Sequence, residues 1–252
     1  MKITRKHFLQ LSGVSLIAVI AKRLVRGTAK VSTSEGSAKK TLWGMAIDLQ
    51  KCRQKEGCSR CIKACHAAHN VPQFADRAHE IKWVWKQPFE DVFPFAQTQY
   101  SRDVLASAPV LLMCNHCDDP PCEDVCPVGA TWRRDDGIVM MDFHRCIGCR
   151  YCMAACPYGS RSFNWQDPRP ALSVINPDFP TRAKGVVEKC NFCEERLARK
   201  QVPLCVEACD EKALVFGDLE DANSEIRKVL RSRFALQRRP ELGSRPSVYY
   251  LI

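Results

Sequence analysis

The run Cys146-Ile147-Gly148-Cys149-Arg150-Tyr151-Cys152-Met153-Ala154-Ala155-Cys156-Pro157 carries the architecture of this chain. Three cysteines recur at every third position, and a fourth follows four residues later, closed by proline. Short Cys-x2-Cys steps wrap a loop around one side of a compact inorganic core and turn its backbone amides toward it. A [4Fe–4S] cube needs four thiolates converging from different directions. The first three cysteines supply one side, and the fourth in such a run normally serves a neighbouring cluster.

Three further groups flank this run. They are Cys52, Cys58, Cys61 and Cys65; Cys114, Cys117, Cys122 and Cys126; and Cys190, Cys193, Cys205 and Cys209. Together the four groups use all 16 cysteines. An internal repeat relates them. Met45–Cys52 parallels Val139–Cys146 as a short apolar strand, an Asp, a hydrophobic residue, a basic residue and a first cysteine. Cys126-Pro127-Val128-Gly129 likewise parallels Cys156-Pro157-Tyr158-Gly159. The fold expected is α+β: two interleaved ferredoxin-like modules, each with two [4Fe–4S] clusters, built from short strands, short helices and long loops. Exchange of fourth ligands predicts Cys114, Cys117, Cys122 and Cys156 around one cluster, and Cys146, Cys149, Cys152 and Cys126 around its neighbour. It also predicts Cys52, Cys58, Cys61 and Cys209 around a third, and Cys190, Cys193, Cys205 and Cys65 around a fourth. An inner module at about 105–165 would then sit within an outer one made of 43–70 and 183–218. All sixteen cysteines are thus expected iron ligands, and no catalytic residue is expected.

Other uses of cysteine fit less well. Structural zinc takes two Cys-x-x-Cys knuckles as four tetrahedral ligands, and groups two and four taken alone allow that reading. Zinc has no need of a third cysteine two residues on, or of Cys-Pro beyond it. Closely spaced cysteines on one loop do not all find disulfide partners. Covalent haem requires Cys-x-x-Cys-His, which does not occur. His66, His69, His116 and His144 lie near ligands and read as hydrogen-bonding neighbours. There is no Gly-rich phosphate loop, hydrolase triad, or molybdenum or flavin signature, so no small-molecule substrate is expected.

The formal charge of +10 suggests nucleic acid at first sight. Seven cations and no acid fall within residues 1–30, which leaves +3 for the remainder. Four oxidised clusters with their thiolates, at roughly −2 each, would make that remainder mildly acidic. No nucleic-acid partner is therefore expected. Lys2, Arg5 and Lys6 precede an apolar run from Phe8 to Ala21, of signal-peptide rather than membrane-spanning length. Thr4-Arg5-Lys6-His7-Phe8-Leu9-Gln10 resembles a twin-arginine export signal with Lys6 in place of the second arginine. Residues 1–29 read as that signal, with an uncleaved amphipathic anchor as the other reading, and 30–42 as a polar linker. No later segment is long and apolar enough to span a bilayer. Residues 43–218 read as the cluster domain and 219–252 as a C-terminal extension, with a capped basic helix over 223–239. The aromatic region 66–113 reads as cover for the clusters, with a half-buried strand at Ile81–Lys86.

Cys114-Asn115-His116-Cys117 with Pro120-Pro121-Cys122, Cys146 to Cys152, Cys156-Pro157-Tyr158-Gly159, and Cys190 to Cys209 resemble the four-cluster iron–sulfur subunits that accompany dimethyl sulfoxide reductase-type molybdopterin oxidoreductases. His79–Trp85, Ser162–Pro170 and Pro240–Gly243 are more narrowly similar to the periplasmic iron–sulfur subunits of transmembrane complexes linked to dissimilatory sulfite reductase. The resemblance implies single-electron relay through four [4Fe–4S] clusters in the periplasm. It also implies an integral-membrane quinone-reactive partner and a multihaem cytochrome c or other redox subunit. Polysulfide, thiosulfate, tetrathionate or hydrogenase-linked complexes are the alternatives. Group one departs from the family pattern, because five residues separate Cys52 from Cys58. Its cluster is the one whose type and retention the pattern leaves open. Arg145 and Arg150 are expected to raise the potential of their cluster, and Asp118 and Asp119 to lower that of theirs.

Overall fold

The strands follow from short apolar runs cut off by turn residues. A computed structural model describes residues 40–96 and 106–252. The expected export signal, and the linker up to residue 39, lie outside them. Among the described residues the strands are β1 (Trp43–Asp48), β2 (Val84–Pro88), β3 (Pro109–Met113), β4 (Thr131–Arg133), β5 (Val139–Met141), β6 (Ser162–Phe163), β7 (Val187–Glu188), β8 (Leu214–Asp218), β9 (Ala235–Leu236) and β10 (Val248–Leu251). Short helices alternate with them, giving an α+β protein.

One strand precedes and one follows each cysteine group, and the strand that follows a group pairs antiparallel with the strand that precedes the next. β2 pairs with β3, β4 with β5, and β6 with β7. The circuit closes when β8 returns to β1, with Met45 opposite Phe216 and Ile47 opposite Leu214. The chain therefore begins and ends its cysteine-bearing part in one sheet.

The repeated Asp has a local explanation. Asp48 ends β1 and its carboxylate accepts from the Lys51 amide at 3.0 Å, capping the helix Leu49–Arg53 that carries Cys52. Asp142 accepts from the His144 amide at 2.8 Å in the turn that leads to Cys146. In both places the carboxylate satisfies amides that a strand-to-turn reversal would strand.

Three expectations shift. Residues 219–252 are not an appendage: β10 lies between β1 and β9, parallel to β1, with Met45 opposite Val248. The basic helix spans only Glu225–Ser232, with Ser224 as its cap. It stops because Arg233 turns extended and the chain enters β9. The strand expected at Ile81–Lys86 forms at Val84–Pro88, and Trp83, Val84 and Trp85 are all buried instead of alternating. Helix Arg60–Ala68 packs on one side of β2, and the four-stranded sheet contributes Ile47 and Tyr250 to the same core. Trp83, Trp85, Phe89 and Phe93 thus form part of the main core, as cover and not as an exposed docking face.

Candidate metal centres

The cysteines converge on four places. Cys52, Cys58 and Cys61 line one cavity together with Cys209. Cys114, Cys117 and Cys122 line a second with Cys156. Cys146, Cys149 and Cys152 line a third with Cys126. Cys65 is enclosed among Cys190, Cys193 and Cys205, whose charges all bear on it. Each set takes three cysteines from one group and one from another, and every sulfur is a free thiol.

Helix geometry explains the crossing. The third and fourth cysteines of every group stand four residues apart, on or just beyond one short helix: Arg60–Ala68, Pro121–Asp124, Tyr151–Ala155 and Leu204–Glu207. One helical turn separates such residues by about 6 Å along the axis. A single helix therefore serves two neighbouring sets, and the crossing fixes which sets are adjacent. Cys61 and Cys65 join the Cys52 set to the Cys65 set. Cys152 and Cys156 join the Cys126 set to the Cys114 set. Between these pairs, Cys114 is among the charges that raise Cys190. The four sets run in one file: Cys52, Cys65, Cys114, Cys126.

The loops are built to curl around something. His116, Gly148 and Phe192, each the residue before the second cysteine of its group, have φ of 41°, 71° and 57°. This left-handed turn brings successive amides onto one concave side. Glycine is required at 148, because an added Cβ would lie 2.3 Å from the Gly185 carbonyl oxygen. Group one shares the feature: its left-handed residue is Gly57 at φ 67°, before Cys58, and helix Arg60–Ala68 follows at once. The longer loop still delivers Cys52 and Cys58 to one cavity. Amides approach the sulfurs elsewhere: Ala130 to Cys126 at 3.2 Å, Ala213 to Cys209 at 3.3 Å, and Leu204 to Cys193 at 3.4 Å.

The electrostatics suit a cationic iron core. Burial, with the Cys114 charge behind it, pushes the Cys117 thiol up to about 12. Burial pushes Cys61 and Cys122 up to about 11, and Cys190 further. Thiols so enclosed do not ionise together by themselves; they ionise against metal. Beside the Cys114 set, the buried Asn115 amide has neither its nitrogen nor its oxygen partnered among the described residues. An isolated buried amide of that kind is costly, and it suits a polar group held in the cavity it lines. The donor set is all sulfur, as a [4Fe–4S] cluster requires.

Surrounding groups divide into those legible in the sequence and those found only in three dimensions. Arg145 is exposed and pairs with Asp142 at 3.4 Å. Arg150 stacks over Trp165 at 4.7 Å. Asp118 is flanked by Arg133 at 2.5 Å and Arg245 at 3.0 Å, so its charge is largely compensated. His116 stacks on Phe192 at 3.7 Å and burial drives its pKa well down, so it is neutral. His69 Nδ1 donates to the Cys65 carbonyl at 2.7 Å, and Nε2 meets the Glu195 carboxylate at 3.0 Å. Two buried cations were not apparent from spacing. The Arg161 guanidinium donates to Cys122 Sγ at 3.0 Å, and the Lys189 ammonium donates to the carbonyls of Val139 and Cys190. Arg161 lies five residues beyond the last cysteine of its nearest group, and Lys189 looks like any residue before a cysteine.

Comparison with known proteins adds a family. Residues 109–170 match the family described as 4Fe-4S dicluster domain. The chain is 39% identical to the Hdr-like menaquinol oxidoreductase iron-sulfur subunit 1 of Archaeoglobus fulgidus, over 98% of this chain and 97% of that one. It is 36% identical to the menaquinone reductase iron-sulfur cluster-binding subunit of Nitratidesulfovibrio vulgaris, over 84% and 89%. It is 34% identical to the iron-sulfur subunit of the arsenate respiratory reductase of a Shewanella species, over 82% and 95%.

Proposed function

This chain belongs to the ferredoxin-like 4Fe-4S iron–sulfur subunits of the Hdr-like menaquinol oxidoreductase and dimethyl sulfoxide reductase family, and from that membership we propose that it relays single electrons through four [4Fe–4S] clusters held in one file. It is an electron-transfer subunit of an oxidoreductase complex, with the substrate chemistry placed in other subunits. The ligands proposed are the four crossed sets of cysteines, arranged as two interleaved ferredoxin-like modules. When bound, each cluster takes up and releases one electron by delocalising it over iron and sulfide. The chain's part is to hold the thiolates, exclude water and supply amides and charge around the sulfurs.

The observation that carries this reading is the gradient of burial along the file. Cys65, Cys190, Cys193 and Cys205 are all buried, and so are Cys114, Cys117 and Cys122. At the two ends Cys52, Cys58 and Cys209, and Cys126, Cys146 and Cys149, are only half-buried. Two accessible ends with an enclosed middle suit a conduit between two partners.

The proposed setting is the periplasmic side of a membrane, after export by a twin-arginine-type signal. An integral-membrane quinone-reactive subunit would serve one end and a multihaem cytochrome c or other redox subunit the other. The relatives whose names speak of menaquinol and menaquinone support a quinone-linked partner. Residues His79–Trp85 and Ser162–Pro170 support a place in dissimilatory sulfur metabolism, next to sulfite reductase. The test is iron content with an anaerobic EPR-monitored redox titration. About sixteen irons with several interacting signals are expected. A colourless, zinc-loaded protein after anaerobic purification would overturn the reading. Cell fractionation with N-terminal sequencing of the mature protein tests the location.

A further inference from the structure

Lys189 and Arg161 are buried to 1% and 5% exposure, and among the described residues neither forms an ion pair with a carboxylate. The Glu188 side chain next in sequence faces Arg182 instead. Lys189 is backed by two carbonyls, those of Val139 and Cys190. Arg161 is backed by the Thr131 hydroxyl at 2.9 Å and donates to Cys122 Sγ at 3.0 Å. An enclosed cation without a counter-charge is among the costliest things a fold can contain. What can supply the missing charge here is cysteine. Cys114, Cys190 and Cys122 bear on Lys189, and Cys122, Cys152 and Cys114 bear on Arg161.

The placement is specific within the file. Lys189 sits at the junction of the Cys65 and Cys114 sets, and Arg161 at the junction of the Cys114 and Cys126 sets. Among the described residues the Cys114 set alone has a buried cation at both junctions, and a third, Arg238, bears on its Cys156. The nearest comparable group at the Cys52 set is Lys86, which is half-exposed and donates to the Cys58 carbonyl at 2.5 Å.

We propose that Lys189 and Arg161 are the fixed counter-charges of the cluster held by Cys114, Cys117, Cys122 and Cys156, and make it the highest in potential of the four. An electron arriving there adds one negative charge between two enclosed cations, with no bond made or broken. Poorly screened attraction favours that reduced state. This inference rests on the four-cluster reading, and the two fail differently.

The test compares Lys189→Met, Arg161→Gln and Arg161→Lys in the full chain, by iron content and EPR-monitored titration. With about sixteen irons retained, each neutral variant is expected to weaken reduction of the highest-potential signal at least tenfold, about 59 mV for one electron. Arg161→Lys, which keeps the charge, should shift it far less, and Lys86→Met should leave it in place. Full iron with unmoved potentials in both neutral variants overturns the inference. So does an equal shift in Arg161→Lys and Arg161→Gln, which would assign the effect to packing. Iron loss from both neutral variants with full retention in Arg161→Lys upholds it, and loss from Arg161→Lys as well counts against it. Fewer than about sixteen irons in the unsubstituted protein would instead count against the four-cluster reading.

Discussion

Arg182 and Glu188 meet at 2.6 Å with both side chains fully enclosed. The same guanidinium donates to the carbonyls of His69 and Asn70, and the same carboxylate accepts from Trp83 Nε1 at 2.8 Å and Asn164 Nδ2 at 2.6 Å. One ion pair therefore ties the segment after group one to β6 and β7. Removing one partner leaves an uncompensated charge in the core. Arg182→Met is expected to cost about 3–5 kcal/mol and to lower Tm by roughly 6–20 °C. Thermal unfolding of the loaded protein under anaerobic conditions measures this.

The crossed sets make an unusual double-mutant expectation. Cys65→Ser should strip the cluster of Cys190, Cys193 and Cys205, not that of its own loop. Cys65→Ser with Cys190→Ser should then lose no more iron than either alone, about four atoms. Cys65→Ser with Cys61→Ser should lose about twice as much. Iron counts on the four proteins decide it; additive loss in the first pair would show that the sets are not crossed.

Two glycines at similar φ should behave differently. Gly57→Ala meets open space and carries only the left-handed penalty, about 1–2 kcal/mol. Gly148→Ala adds a methyl group 2.3 Å from a backbone oxygen that has little room to move. Iron release to a chelator should be markedly faster in Gly148→Ala than in Gly57→Ala.

Asp48 is buried, caps the Leu49–Arg53 helix and pairs with Arg233, which follows the basic helix. Burial works to raise its carboxyl, yet the Lys51 amide and the Arg233 guanidinium hold it below the usual carboxylate range. A double-mutant cycle of Asp48→Ala and Arg233→Ala is expected to give a coupling of about 1–3 kcal/mol, read by denaturant unfolding. A coupling near zero would mean that strand pairing and apolar packing hold the C-terminal segment without help from this ion pair.

The cysteine pattern was legible because each group is local in sequence: three of its cysteines serve one set, and the fourth, one helical turn beyond, enters a neighbouring set. The repeated Asp was legible for the same reason, since it caps the turn that begins at the next residue and brings in the first cysteine four residues on. Strand β10 was not, because its partner is 203 residues away by register, Met45 to Val248, and nothing local announces the pairing. The basic helix was overextended because Arg233 to Arg238 keep its composition, while Arg233 turns extended and β9 takes Ala235–Leu236. Charges picked by nearness in sequence, Arg145, Arg150 and Asp118, turn out to be paired or stacked at the surface. The buried cations among the cysteines, Lys189 and Arg161, are brought there by the end of β7 and by the turn before β6.

The closure of β8 onto β1 also sets a timetable. Chains emerge from the ribosome with the N-terminal part first. The Cys114 and Cys126 sets are complete once residue 156 has been made. Cys65 must wait for Cys190, Cys193 and Cys205, Cys52 must wait for Cys209, and β1 has neither neighbour until residues 214–218 and 248–251 exist. Maturation then proceeds from the Cys114 and Cys126 sets toward the Cys52 end of the file, and the cysteines made first are the last to be satisfied. Until synthesis finishes, the thiols of group one are the ones most in need of protection from oxygen and stray metal.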